Sequence, residues 1–282
     1  MRLHLVDGTF ELFRAHYSKR PPFTAPDGRD LKATVGMAQS LLWHIQSEKI
    51  THLAVAFDNP IVSFRNRLFS GYKSDEGMDP ALRAQFDIAE EAARAVGAVV
   101  WSMDEFEADD ALATAAARFD GQVEQVRILT PDKDLGQCLR GTRVVQVDVI
   151  RKREIDEAAL RQRRGIGPES IPDYLALIGD DADGIPGLPG FGERTAALLL
   201  DKFKHLESVP LDKREWPPDI RGAEKLLATL RERLAEALLY RTLATLRTDV
   251  PLAEGLEDLR YRGVPEERMA AFRAETGWAK VG

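Results

Sequence analysis

Asp7 closes the short run Arg2-Leu3-His4-Leu5-Val6, and Asp58 closes His52-Leu53-Ala54-Val55-Ala56-Phe57. Asp132 and Asp134 follow Val126-Arg127-Ile128-Leu129. These short, largely apolar runs read as strands of a parallel sheet. In open α/β sheets, sites form at the carboxyl ends of the strands. Aspartates gathered there repel one another unless some stay protonated or a cation joins them. Two further groups add to this set. Glu107-Ala108-Asp109-Asp110 opens a helical stretch, with Glu107 and Asp110 three apart on one face. Gly179-Asp180-Asp181-Ala182-Asp183-Gly184 repeats the spacing with Asp180 and Asp183. Acids favour the first turn of a helix, and one or two need no other reason. Three in four residues, with Asp104 and Glu105 just ahead, exceed it.

All of these candidate ligands are oxygen donors, and the motifs contain no His or Cys. Hard oxygen donors select magnesium or manganese. Two such ions about 4 Å apart suit in-line displacement at a phosphoryl group, stabilising the attacking and leaving oxygens. So many carboxylates call for more than one ion.

The elements that must carry these residues alternate. Strands are expected at 2–6, 52–57, 98–101, 123–129 and 142–147, and helices at 32–48, 80–96 and 107–118. That alternation predicts an α/β fold with a mostly parallel central sheet flanked by helices. After about residue 155 the chain turns helical, with Gly-Pro punctuation at 167–168, 184–187 and 189–192. Leu226, Leu227, Leu230, Leu234 and Leu238 share one helical face within 223–246 and read as a core stripe. The expected division is an α/β core over 1–160 and a helical region over 161–282, packed as one catalytic unit. Residues 254–282 read as helix and tail without a motif.

The bulk properties set limits. The chain has 282 residues, 44% of them apolar, and carries a net charge of −7. Nucleic-acid binding usually needs basic surface, so the total argues against it. Setting aside the nine carboxylates Asp7, Asp58, Glu107, Asp109, Asp110, Asp132, Asp134, Asp180 and Asp183 turns −7 into +2 for the rest. An acidic total can thus hide a mildly basic surface around a metal-filled pocket. No apolar stretch is long enough to span a membrane. Cys138 is the only cysteine and the N-terminus reads as a strand, so a cytoplasmic protein is expected.

In order and spacing, these motifs resemble the bacterial and phage 5′–3′ exonuclease/flap endonuclease family, including the N-terminal nuclease domain of DNA polymerase I. The resemblance runs from Leu5-Val6-Asp7-Gly8 through Phe57-Asp58, Ser63-Phe64-Arg65, Gly71-Tyr72-Lys73, Phe106-Glu107-Ala108-Asp109-Asp110 and Thr130-Pro131-Asp132-Lys133-Asp134. It continues through Gly179 to Gly187, Gly190-Phe191-Gly192-Glu193-Arg194-Thr195-Ala196 and Arg247-Thr248-Asp249. It implies a PIN-like core with a helix–three-turn–helix element, and a 5′-nuclease without the polymerase. Asp7, Asp58, Glu107 and Asp109 would surround an ion at the cleaved phosphate, with Asp110 close to both ions. Asp132, Asp134 and Asp183 would surround the second, with Asp180 nearby. Lys73 would stabilise charge on the phosphate, Arg65 would hold it, and Tyr72 would stack a terminal base. Gly187, Gly190, Gly192, Arg194 and Thr195 would grip duplex DNA, with a potassium ion at that turn as in many relatives. The implied partners are DNA 5′ ends, flaps and duplex junctions, and RNA–DNA primers, met by a monomer.

One stretch departs from the family pattern. Ser74-Asp75-Glu76-Gly77-Met78-Asp79 is acidic where relatives carry a basic residue, and the arch region near 65–85 is short. Three other readings compete. Asp7-Gly8-Thr9 mimics a haloacid-dehalogenase motif, but Leu5 stands where its nucleophile belongs. A non-catalytic DNA-binding module would not need all nine acids, and a PIN-class ribonuclease would lack the Gly-Pro turn element.

Overall fold

Leu3, Leu5, Ala54, Val55, Phe57, Val126 and Ile128 are all but sealed from solvent. Strands apolar on both faces can be satisfied only between two covering layers. The computed structural model describes residues 1–279 and gives them that arrangement. In chain order, β1 (Arg2–Asp7) leads to α1 (Gly8–His16), α2 (Lys32–Glu48) and β2 (His52–Asp58). Two short helices follow, α3 (Phe64–Leu68) and α4 (Pro80–Arg83), then α5 (Phe86–Ala95), β3 (Val99–Met103) and α6 (Ala108–Phe119). β4 (Gln125–Leu129), β5 (Val144–Asp148) and β6 (Arg153–Ile155) precede α7 (Glu157–Arg164), α8 (Ile171–Ile178) and α9 (Glu193–Phe203). α10 (Ala223–Glu232), α11 (Leu234–Ala244) and α12 (Glu266–Thr276) complete it. Residues 280–282 of the expected tail lie outside the described residues.

The chain forms two compact units. The first comprises Met1–Ser63, Asp75–Thr130 and the chain from Thr248 on. Here β1 pairs in parallel with β2 and β4, and β2 with β3. Asp7 lies opposite Ala56 in that register, so Asp7 and Asp58 share the carboxyl edge of neighbouring strands. The C-terminal stretch is tied to this unit by Leu53 N–H to the Leu259 carbonyl (2.9 Å) and Trp101 Nε1–H to Glu254 (2.9 Å).

The second unit comprises Phe64–Ser74 and Pro131–Arg247. β5 and β6 pair antiparallel within it. Its core includes Leu175, Leu177, Leu199, Leu200, Leu230 and Leu243. Residues 131–160, expected with the α/β core, belong to this unit, and the chain after 248 belongs to the first. A Cβ on Gly136 would lie 3.7 Å from the Ile171 side chain of α8, in ordinary contact.

Two expected helices break. The stretch 80–96 divides at Ala84-Gln85, where the Gln85 side chain turns inward to accept from the Thr34 N–H (3.0 Å). The stretch 223–246 divides at Arg233, whose φ of −114° leaves the helical range. No arch helix forms: α3 and α4 have five and four residues, and the acidic segment between Lys73 and Pro80 is not helical.

His4 of β1 and His44 of α2 meet inside the first unit, Nδ1 to Nε2 at 2.9 Å. Burial, then His44, pushes the His4 ring down to about 3, and burial pushes His44 down to about 4. Both rings are therefore neutral in the native state, while the unfolded chain protonates them below about 6.5. The unfolded state then binds more protons, so stability is complete above that pH and falls as pH drops toward 4. Urea unfolding between pH 7 and 5 should show a loss of up to about 1.4 kcal/mol per pH unit per histidine. His4→Gln should flatten that slope, and an unchanged slope would remove the pair as its source.

Candidate metal centre

Several acids of the first unit accept from backbone N–H and hydroxyl groups. Asp7 caps α1, its Oδ1 accepting from the Phe10 N–H (2.8 Å), while Oδ2 accepts from the Thr130 hydroxyl (3.0 Å). Asp58 Oδ1 accepts from the Ala108 N–H at the start of α6 (2.7 Å). That bond ties the end of β2 to the helix bearing Glu107. Glu107 accepts from the Ser63 hydroxyl (2.7 Å), and Asp110 accepts from the Glu107 N–H (3.0 Å). Glu107 and Asp110 form a full capping box, so capping does occur at this helix start. Asp7, Asp58, Glu107 and Asp110 are buried and Asp109 is half-buried. Buried carboxylates of this number suit a cation.

Gly8 permits this geometry. A Cβ there would fall 2.6 Å from the Phe57 ring, so any side chain after Asp7 would push β2 away.

The second unit holds the other acids. Asp134, Asp180 and Asp183 each offer a ligand atom, and these lie within 4.8 Å of one another. Asp134 is 4% exposed, and its Oδ1 is buried with no hydrogen-bond partner. Its carboxyl is held well above the ordinary range by burial first, then by Asp132, Asp183 and Asp180. Asp132 is raised too, by burial, although the Asp134 N–H on its Oδ1 (2.9 Å) opposes the shift. Cations enter this pocket from two lysines. Lys73 Nζ lies 3.0 Å from Asp183, and Lys133 Nζ lies 3.0 Å from Asp180. The orphaned oxygen and the all-oxygen donor set fit a hard divalent ion.

Two residues sit elsewhere than expected. Arg65, expected to hold a phosphate, is 1% exposed. Its Nε–H donates to the Leu243 carbonyl (2.7 Å) and its Nη2–H to the Thr245 carbonyl (3.0 Å), satisfying the last carbonyls of α11. Tyr72, expected to stack a base, lies in the apolar core of the second unit. Its hydroxyl donates to Asp183 (3.3 Å), so it positions that carboxylate and presents no open face.

The turn element places Gly187, Gly190 and Gly192 ahead of α9. Gly187 has φ +70°, and a Cβ there would lie 2.4 Å from the Gly179 nitrogen. Gly190 has φ +89°. Gly192 caps α9 with open space around it and no side-chain bond to the first turn. Arg194 is exposed and Thr195 half-buried.

Sequence reasoning missed Lys133, Thr130 and Ser63. Each is a lone polar residue that only the fold brings to a carboxylate, although Lys133 lies within the Asp132-Lys133-Asp134 motif.

A parallel sheet with acids on its carboxyl edge, and a helical unit with an acidic pocket that could hold a metal ion, define the class of fold. The profile described as 5'-3' exonuclease, N-terminal resolvase-like domain matches residues 2–165. The profile described as 5'-3' exonuclease, C-terminal SAM fold matches residues 166–267. The chain belongs to the 5'-3' exonuclease family. It is 35% identical to DNA polymerase I of Bacillus caldotenax over 98% of its own length and 31% of that protein. It is 29% identical to the 5'-3' exonuclease of Aquifex aeolicus, covering 92% of this chain and 86% of that one. The chain thus spans about a third of the polymerase relatives. Its fold matches the T5 5'-exonuclease in a structure with bound zinc, with a TM-score of 0.69 at 20% identity over 98% and 99% of the two chains. Among the described residues, no helix is long and apolar enough to cross a membrane.

Proposed function

We propose that the chain is a structure-specific 5′-nuclease that hydrolyses DNA phosphodiesters at or near 5′ ends and flaps. The observation that carries this is the orphaned oxygen of Asp134, a carboxylate grouped within 4.8 Å with Asp180 and Asp183, in a chain of this family. Magnesium or manganese suits both acidic groups. Asp7, Asp58, Glu107, Asp109 and Asp110 would hold one ion, and Asp132, Asp134, Asp180 and Asp183 the other. When bound, such ions activate water and stabilise the attacking and leaving oxygens.

The chain's own residues supply the order. Thr130 and the Phe10 N–H fix Asp7, and the Ala108 N–H fixes Asp58. Tyr72 and Lys73 fix Asp183, and the Lys73 ammonium is a ready countercharge for a phosphate. The open N-terminus of α9, with Gly187, Gly190, Gly192, Arg194 and Thr195, would bind duplex phosphates, with potassium as its ion. A DNA-bound Rad2 catalytic core has a similar fold, with a TM-score of 0.58 at 15% identity. A cytoplasmic monomer acting on DNA ends and RNA–DNA primers in replication and repair completes the reading.

Lys73→Ala should lower single-turnover cleavage of a 5′-flap duplex by about 100-fold, as loss of one preorganised charge does. Substrate affinity should stay within a few-fold. A parental rate in that variant would sink the role of Lys73 and weaken the nuclease reading.

A further inference from the structure

Lys133 has no role in the chemistry above, yet it sits inside the second unit's acidic pocket. Its Nζ is 3.0 Å from Asp180 Oδ1, and the Asp180 side chain is only 4% exposed. The same Asp180 oxygen accepts from the Ala182 N–H (3.1 Å). Asp180 is also fixed through its backbone, with its N–H on the Ile185 carbonyl (2.7 Å) and the Ile185 N–H returned to its own carbonyl (2.8 Å). The carboxylate therefore cannot swing far from its neighbours, and what changes is the cation it faces. Lys133 is flexible and 34% exposed, so it can withdraw to solvent with little cost. Its backbone lies between Asp132 and Asp134, so its stem starts at the pocket wall.

We propose that Lys133 is a built-in counter-cation that occupies Asp180 in the metal-free pocket and competes with the incoming divalent ion. This rests on the metal-holding reading of Asp134, Asp180 and Asp183. Two consequences of opposite sign follow. Lys133 stabilises the metal-free protein by screening repulsion among four carboxylates. It also weakens ion binding, because an ammonium a few ångströms from the ion repels it and must be displaced. A purely structural lysine would give only the first effect.

The test is manganese binding by calorimetry, without DNA, on the parent, Lys133→Met and Lys133→Arg. Melting temperatures would be taken in chelator and in saturating manganese. Lys133→Met should bind the ion about tenfold tighter, melt lower in chelator, and regain most of the difference with manganese. Lys133→Arg should keep the parental affinity. Unchanged or weaker binding in a folded Lys133→Met overturns the proposal. A Lys133→Met that fails to fold leaves Lys133→Gln to decide it by the same two readouts. A parental protein that binds no manganese at this pocket would instead remove the metal reading itself.

Discussion

Asp183→Ala is expected to abolish metal-dependent DNA cleavage, with a loss on the order of 1,000-fold or more, and to leave duplex affinity within a few-fold. Asp183 offers a ligand atom to the pocket and also anchors Lys73 (3.0 Å) and Tyr72 (3.3 Å), so its loss would remove a proposed ion ligand and free the Lys73 ammonium together. Asp134→Asn separates these effects. It keeps the side-chain shape and touches neither partner of Asp183, yet it should lose comparable activity. Its stability effect should run the other way. Burial and three acidic neighbours hold the Asp134 carboxyl above the ordinary range. A carboxyl raised in the folded state costs stability once pH passes its unfolded value, because the charged form must then be buried. In chelator at pH 7, Asp134→Asn should therefore gain on the order of 1 kcal/mol, while an ordinary buried aspartate would lose stability when replaced. Urea unfolding in chelator beside a cleavage assay reads both signs. An inactive Asp134→Asn that is less stable in chelator would mark Asp134 as a structural residue.

Arg65→Ala should be the most destabilising single change in the second unit, at about 3–5 kcal/mol. The side chain is sealed, donates to two carbonyls at the end of α11, and lies over the Phe64 ring at 4.6 Å. Its loss leaves a large cavity and buried carbonyls without donors, and each carries its own cost. Arg65→Lys can reach one carbonyl and should fall between. Denaturant unfolding checks the ranking. If Arg65→Ala unfolds at the parental midpoint but loses cleavage, the clamp is wrong and the phosphate contact expected from the motif returns.

These two predictions mark the limits of what residues alone convey. The apolar runs before Asp7 and Asp58 announced their strands because a sheet covered on both faces needs such runs. Asp7 and Asp58 then fell at the carboxyl edge by topology alone. The side a residue faces is harder to read. Arg65 and Tyr72 carry types that suit a phosphate and a base, but the first unit of pattern around them, Phe64 to Lys73, holds no periodicity that says which way each points. Packing against α11 and the leucine core decided it. The helix breaks at Gln85 and Arg233 were hidden for a related reason. Gln85 is a good helix former locally and leaves the helix because Thr34, 51 residues away, draws its side chain inward. Lys133 was invisible because an ion pair with Asp180 spans 47 positions and leaves no local pattern.

The most direct measurement is cleavage of an end-labelled 5′-flap duplex beside a matched blunt duplex, each with magnesium, manganese or a chelator. The prediction is product ending in a 5′-phosphate at or near the flap junction with either ion, and none in chelator. DNA that is bound but uncut with both ions, or cut equally in chelator, would contradict the assignment of these carboxylates to metal-dependent hydrolysis.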